Sequence, residues 1–285
     1  MPNPVILLTG ATSGIGRDAA GRLAAAGAEV IVHGRSAGRV RQTVAAIRRA
    51  TPAARVTGAV ADFARRRDVE SLATQIRTQC SRLDVLVHNA AVVPLRREVT
   101  EDGFERQFAV NHLAPFLLTH RLAPLLGRSA PARVVIVASQ LERNGRIALH
   151  DLQSEQSYDS SAVYCNTKLA NVLFARELAR RLAGTGVTSN CLHPGIAGTN
   201  LLNALGRKPR WLAPWTRYRQ PRPRAATDGI VRLALDESLV GTSGAYFREA
   251  VESEPSATAR DMELARELWR ASAEILGIPD DLVIA

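Results

Sequence analysis

Apolar and polar positions follow two periods along this chain. Short apolar stretches rich in β-branched residues, "PVILLTG", "AEVIVHG", "RVTGAVAD", "LDVLVHNAA", "RVVIVAS" and "VTSNCLHPG", alternate with longer stretches in which apolar residues recur every three to four positions. The first kind reads as buried strand and the second as helix with one apolar face. The spacing predicts helices from about Arg17 to Ala26, from about Gly38 to Arg49, near 68–80, near 102–126 and near 160–183. A last strand follows at "GAYFRE", and a charged helix lies within "ATARDMELARELWRASAEIL". Near-continuous apolar strands alternating with helices build a parallel sheet covered on both faces, the α/β class. No repeat and no linker rich in Pro, Gly or Ser divides the chain. Residues 1–285 are therefore expected to form one domain, with the proline-rich 209–223 region as an insertion loop.

Composition narrows the setting. With 46% hydrophobic residues in 285, the chain can bury a substantial core. Its apolar runs fall short of the roughly 20 residues that span a bilayer. "MPNPVILLTG" has no charged region ahead of its apolar stretch, so neither signal peptide nor membrane anchor is expected. Cys80, Cys165 and Cys191 are odd in number and far apart, which fits neither a disulfide framework nor a zinc site and fits a reducing cytoplasm. The six histidines show no metal-ligand pairing, His193 beside Pro194 reads as a packed strand end, and no metal is expected. The net charge of +10 is mostly spread out, with clusters at "ARRRD" (64–68) and "GRKPRWLAPWTRYRQPRPR" (206–224). The second cluster interleaves arginine with Trp211, Trp215 and Tyr218, as a single-strand binder would. No nucleic-acid motif accompanies it, so it is read as a solvated loop over a pocket and no nucleic-acid partner is expected.

The first candidate chemistry is "LLTGATSGIGRDAAGRLAAAG", which leaves the first strand and enters a helix. Gly10 allows a tight turn, Gly14 lets the main chain approach a pyrophosphate, and Gly16 lets helix and strand pack closely. The helix N-terminus adds free N–H groups and the positive end of a dipole. At the end of the second strand an acidic residue would bind an adenosine ribose 2′-OH and repel a 2′-phosphate. This chain reads "VIVHGRS" there, and Arg35 offers a guanidinium fork instead, with Ser13 and Arg39 as possible additions. The preference inferred is NADP(H); the alternative for Arg35 is a solvated loop arginine.

The second candidate is "YCNTK" in the helix near 160–183. Tyr164 and Lys168, four residues apart, share a helix face. An ammonium beside a phenol favours phenolate and brings its pKa from about 10 toward working pH, which makes a usable general acid or base. Lys168 is one of two lysines against 35 arginines, so the compact ammonium stands out. Ser139 ends the strand "RVVIVAS", at the rim where open α/β sheets bind ligands.

Thr9, Gly10, Gly14 and Gly16 match the TGxxxGxG fingerprint of the short-chain dehydrogenase/reductase family, and the chain resembles that family from about 5 to 250. "LDVLVHNAA", "NHLAPFLLT", "YCNTKLANVLFARELARRL" and "LERNGRIALHDLQSEQSYDS" are most similar to its retinol-dehydrogenase-like branch. The resemblance implies a Rossmann-type doubly wound parallel sheet of about seven strands and a catalytic tetrad of Asn111, Ser139, Tyr164 and Lys168. It implies cofactor contacts from Gly10, Ser13, Gly14, Ile15, Gly16 and Arg35, and an adenine site at Asp62 and Phe63. Further contacts are implied from Asn89, Ala90, Tyr164 and Lys168, and a carboxamide site at Pro194, Gly195, Ile196 and Thr199 from the PGxxxT element. Two departures stand out: His88 and Ala91 replace an asparagine and a glycine of NNAG, and the branch's frequent N-terminal membrane segment is not seen.

The expectation is an NADP(H)-dependent oxidoreductase that interconverts an alcohol and a ketone or aldehyde on a small, hydrophobic substrate. Residues 196–225 would form a substrate lid in which Trp211, Leu212, Trp215 and Tyr218 either line an apolar pocket or pack the lid down. A homodimer or homotetramer would use the two long helices near 102–126 and 160–183. The alternative is an NADP-binding sensor or scaffold without turnover.

Overall fold

A computed structural model describes residues 3–195 and 223–284. β1 (Val5–Leu8), α1 (Gly14–Ala25), β2 (Glu29–Gly34), α2 (Ala37–Ala50), β3 (Val56–Val60), α3 (Arg66–Gln79) and β4 (Val85–His88) alternate strictly. A three-residue α4 (Arg106–Phe108) then runs through a π-helical turn, Ala109–Leu113, into α5 (Ala114–Arg128). β5 (Ala132–Val137), α6 (Ser160–Arg181) and β6 (Val187–His193) follow. After the undescribed stretch come α7 (Pro223–Leu235), β7 (Tyr246–Arg248), β8 (Val251–Ser253) and α8 (Met262–Leu276).

The strands form one sheet in the order β3-β2-β1-β4-β5-β6-β7-β8. All neighbours are parallel except β7 and β8, an antiparallel pair. The sheet therefore has eight strands where about seven were expected; the extra one is a three-residue edge strand reached through a tight turn in which Glu249 adopts φ 57°. A very short edge offers little to pair with. β1 pairs with β2 on one side and β4 on the other, and at such a reversal an open sheet has its crevice, outside the carboxyl ends of the strands. The strands carry apolar side chains on both faces because both are covered. Leu7, Leu86, Val134 and Ile136 pack toward α3, α5, α6 and α8, whereas Ile6, Leu8, Val87 and Val135 pack toward α1, α2 and α7.

The C-terminal helix does more than the charged pattern implied. Trp269 of α8 is fully buried, with its ring centroid 4.7 Å from Phe116 of α5 and 5.8 Å from Phe174 of α6. Its indole Nε1 donates to the Asp280 carbonyl, and the Arg181 guanidinium lies 4.4 Å over the ring. α8 thus packs against both long helices through Trp269. No helix among the described residues is long and apolar enough to cross a membrane.

Candidate active site

The turn after β1 is held by contacts that leave no room for a side chain. Gly10 sits at φ 65°, and a Cβ there would lie 2.7 Å from the Ala90 Cα. A Cβ on Gly16 would lie 2.4 Å from the Gly10 carbonyl oxygen and 2.5 Å from Asn89 Nδ2. Thr9 Oγ1 accepts from the N–H groups of Asn89 (2.9 Å) and Ala90 (3.1 Å). The Asn89 amide returns two bonds, to the Thr9 and Gly10 carbonyls. The expected loop and the expected Asn89–Ala90 wall are therefore one hydrogen-bonded unit. Among the described residues Ser13, the N-cap of α1, makes no side-chain cap, and the first turn of α1 holds no acid. Its N–H groups and positive dipole end suit an anion.

These residues line one wall of a cleft of about 470 Å³ at the carboxyl ends of the strands. On the β2–β3 side it is lined by Arg35, Ser36 and Arg39, with Asp62 and Phe63 beyond them. No carboxylate follows β2, as the sequence implied, and Arg35 is exposed at the rim. Asp62 accepts from the Ala64 N–H through Oδ1, which fixes the strand-end turn. Sequence reasoning missed His33. Its ring stacks on Phe63 with centroids 4.4 Å apart, its Nδ1 faces the Gly10 N–H at 3.4 Å and its Nε2 faces the Ala61 carbonyl at 3.1 Å. That pair of partners requires the neutral tautomer with Nε2–H, and burial pushes the imidazole down to about 4. Its position two residues before Arg35, in "VIVHGRS", is the sequence signal for it. Arg106, at the start of α4, also lines the cleft and is ion-paired with Glu98.

On the β5–β6 side the cleft is lined by Ser139, Tyr164, Lys168, Pro194 and Gly195. α6 begins at Asp159, whose side chain caps it by accepting from the Ala162 N–H. Tyr164 and Lys168 share a face as expected: both are buried, and Lys168 Nζ lies 5.5 Å from the centre of the Tyr164 ring. Ser139 and Tyr164 line the same wall of the cleft, and the Ser139 side chain is near enough to favour the phenolate. The acidity of Tyr164 differs from the expectation. Burial pushes it up to about 12, only partly offset by Ser139, and Lys168 is not among the groups that lower it. Lys168 instead donates to the Val137 carbonyl at 3.0 Å, and burial lowers its ammonium to about 8. Within the protein's own set of groups Tyr164 is a phenol at neutral pH.

Asn111 is fully buried in the π-helical turn and does not line the cleft. Its Oδ1 accepts from the Val92 N–H (2.8 Å), and its Nδ2 donates to the Val92 carbonyl (3.1 Å) and to Thr167 Oγ1 (3.2 Å). The side chain thus ties the loop after β4 to α6. His88 turns away from the cleft: Nε2 pairs with Thr119 Oγ1 of α5 at 2.8 Å, and burial takes the ring to about 3. The asparagine-to-histidine departure is absorbed beneath the sheet. Gly195 donates its N–H to His193 Nδ1 at 3.0 Å, so His193 is the packed strand end that was expected. Ile196, Thr199 and the expected lid residues Trp211, Leu212, Trp215 and Tyr218 lie outside the described residues. Among the described residues no His, Cys, Asp or Glu cluster could hold a metal.

Residues 4–210 match the family model for short chain dehydrogenase. Retinol dehydrogenase 14 of Mus musculus is 42% identical over 293 residues, spanning 98% of this chain and 87% of the relative. A solved structure of an uncharacterized protein from Mycobacterium Paratuberculosis superposes with a TM-score of 0.77 at 28% identity, covering 99% of this chain and 97% of that one. A candidate NAD(P)-dependent gluconate 5-dehydrogenase from Beutenbergia cavernae, solved with NADP at low occupancy, gives a TM-score of 0.71 at 28% identity over 87% of this chain and 95% of its own.

Proposed function

This chain belongs to the short chain dehydrogenase family, in its retinol-dehydrogenase-like branch, and we propose that it is an NADP(H)-dependent oxidoreductase. It interconverts an alcohol and a ketone or aldehyde on a hydrophobic small molecule. One observation carries this reading: Tyr164, with Ser139 beside it and Lys168 Nζ 5.5 Å from its ring centre, lies in the same cleft as an uncapped helix N-terminus and two arginines. A plain binding protein needs the second group and has no use for the first. The donor set fits a dinucleotide with a 2′-phosphate: Gly14, Ile15 and Gly16 at the helix start for the pyrophosphate, Arg35 with Arg39 and Ser13 for the added phosphate, and Phe63 with Asp62 for the adenine. The NADP in the Beutenbergia cavernae structure supports the choice.

When bound, the nicotinamide supplies or accepts the hydride. The chain's own groups handle the oxygen and its proton. Ser139 donates to the substrate oxygen and draws charge onto it. Tyr164, a phenol at neutral pH, gives that oxygen a proton during reduction and takes it back during oxidation. Lys168, whose ammonium burial lowers to about 8, is still mostly charged at neutral pH; it donates to the Val137 carbonyl and would hold the ribose of a bound cofactor. The inferred NADP(H) preference leans toward reduction. Asn111 acts at a distance, by fixing Val92 against α6. Three free cysteines support a reducing, cytoplasmic setting. The assembly proposed is a homodimer or homotetramer through the two long helices.

The test is a titration with NADPH and NADH, followed by intrinsic fluorescence, on the parent protein and Arg35→Asp, then NADPH oxidation across a panel of hydrophobic aldehydes and ketones. Tighter NADPH binding that Arg35→Asp abolishes, with turnover on part of the panel, is the expected result. Binding without turnover on any carbonyl would favour the sensor or scaffold alternative, and no binding of either nucleotide would overturn the reading.

A further inference from the structure

One fully buried carboxylate near the cleft has no part in the chemistry above. Glu142 lies on the 3-10 turn Gln140–Asn144 and does not line the cleft. Its oxygens are claimed by one residue more than a hundred positions away: the Ser256 N–H donates to Oε1 at 3.0 Å and the Ser256 hydroxyl to Oε2 at 2.6 Å. The Ser256 hydroxyl in turn accepts from the Ala259 N–H at 3.2 Å, so it is itself oriented. Arg143 stands 3.9 Å from Oε1 and donates to the Glu254 carbonyl at 2.8 Å, a second tie between the same two segments. A buried charge is costly and persists only where its hydrogen bonds are well made.

The position of this carboxylate matters because of what starts the turn. Ser139 is its N-cap: Oγ accepts from the Leu141 N–H at 3.2 Å and the carbonyl from the Glu142 N–H at 3.1 Å. A serine side chain has three staggered wells, and the cap bond to Leu141 selects among them. In that well the Ser139 side chain lines the cleft together with Tyr164. The turn is thus fastened at one end to the reacting pair and at the other to the C-terminal segment.

We propose that Glu142 and Ser256 are positioning residues, a clamp between the C-terminal segment and the turn that holds the Ser139 hydroxyl in register with Tyr164. The proposal rests on the reading of Ser139 and Tyr164 as the groups that handle the substrate oxygen. It adds that the catalytic geometry depends on the C-terminal segment and not only on the strands and helices that carry the reacting groups.

The test uses full-length protein carrying ¹³C at tyrosine Cζ, with the Tyr164 resonance assigned by its loss in Tyr164→Phe. At neutral pH that resonance reports the phenol's hydrogen bonding, and Ser139→Ala gives its position without the serine. Ser256→Ala and Glu142→Gln should move it toward the Ser139→Ala position, and Ser256→Thr, which keeps the hydroxyl, should return it. In the same proteins kcat should fall, by about fivefold in Ser256→Ala and further in Glu142→Gln, with the KM for NADPH within about twofold of the parent. A folded Ser256→Ala protein whose Tyr164 resonance stays at the parent position overturns the clamp, as does a loss of NADPH affinity equal to the loss of kcat. A parent protein that binds NADPH but reduces no carbonyl of the panel overturns the functional reading instead, and the resonance still decides the clamp.

Discussion

The two sides of the cleft are built differently. The β1–β3 side is built on one continuous loop: the eight consecutive residues from Thr9 to Gly16, proposed to hold the pyrophosphate, are closed by Asn89 and Ala90 through four hydrogen bonds. The β5–β6 side is made of side chains held from far away. Lys168 reaches back to Val137, Ser139 depends on a turn fastened by Ser256, and α6 is backed by Trp269 of the last helix. The first design tolerates almost no added atom, while the second tolerates substitution at a distance only if the fastening survives. Affinity is therefore expected to follow the first side and turnover the second.

The change that should cost most is Gly16→Val, because even a Cβ would sit 2.4 Å from the Gly10 carbonyl oxygen. Loss of nucleotide binding by at least about a hundredfold is expected, with the fold retained by circular dichroism. Calorimetric titration with NADPH checks this, and near-parent affinity would break the contrast at its firmest point.

Next comes the far support of the other side. Trp269→Ala removes a fully buried indole from between Phe116 and Phe174 and should cost roughly 3–5 kcal/mol in chemical denaturation. A loss under about 1 kcal/mol would mean that α8 merely rests on the long helices.

Lys168→Met separates stability from function. Burial holds the folded ammonium at about 8, below the ordinary 10.5. Between those values the unfolded chain binds a proton that the folded protein does not, so the penalty of burying Lys168 is fully felt below pH 8 and is relieved as pH rises through the window. Replacement should raise stability at pH 7 by roughly 1–3 kcal/mol after allowing for the lost bond to Val137, with the gain shrinking above pH 8 while turnover is lost. Thermal melts at pH 7 and pH 10 check the sign; destabilisation at pH 7 would contradict it.

The smallest effect belongs to His33→Ala. It leaves the Gly10 N–H without its acceptor and Phe63 without its stacking partner, and NADPH affinity should fall by about fivefold with kcat unchanged. A fall in kcat alone would put His33 on the wrong side of the comparison.

The same contrast explains what could be read from the sequence. The strand and helix pattern, the glycine loop, Arg35 and the Tyr164–Lys168 pair are written in spacings of a few residues, and the structure places each where its spacing implies. Three features are not local. α7 begins in a proline-rich stretch and carries Gly229 in its middle, where a Cβ would lie 2.0 Å from the Glu249 carbonyl oxygen; only the folded neighbour shows why glycine belongs there. The Tyr164 acidity is not set by spacing, because i and i+4 proximity fixes a face and not the distance from ammonium to hydroxyl, nor the cost of burial. Glu142 reads as one more charged residue in "LERNG" until Ser256 is brought to it.

The most direct test of the central claim is a pair of measurements on Tyr164→Phe, NADPH affinity by fluorescence and carbonyl-dependent NADPH oxidation, each against the parent. Affinity within about twofold of the parent, with turnover reduced by at least about a hundredfold, is the result this account requires. Near-parent turnover in Tyr164→Phe would remove Tyr164 from the chemistry and contradict the account.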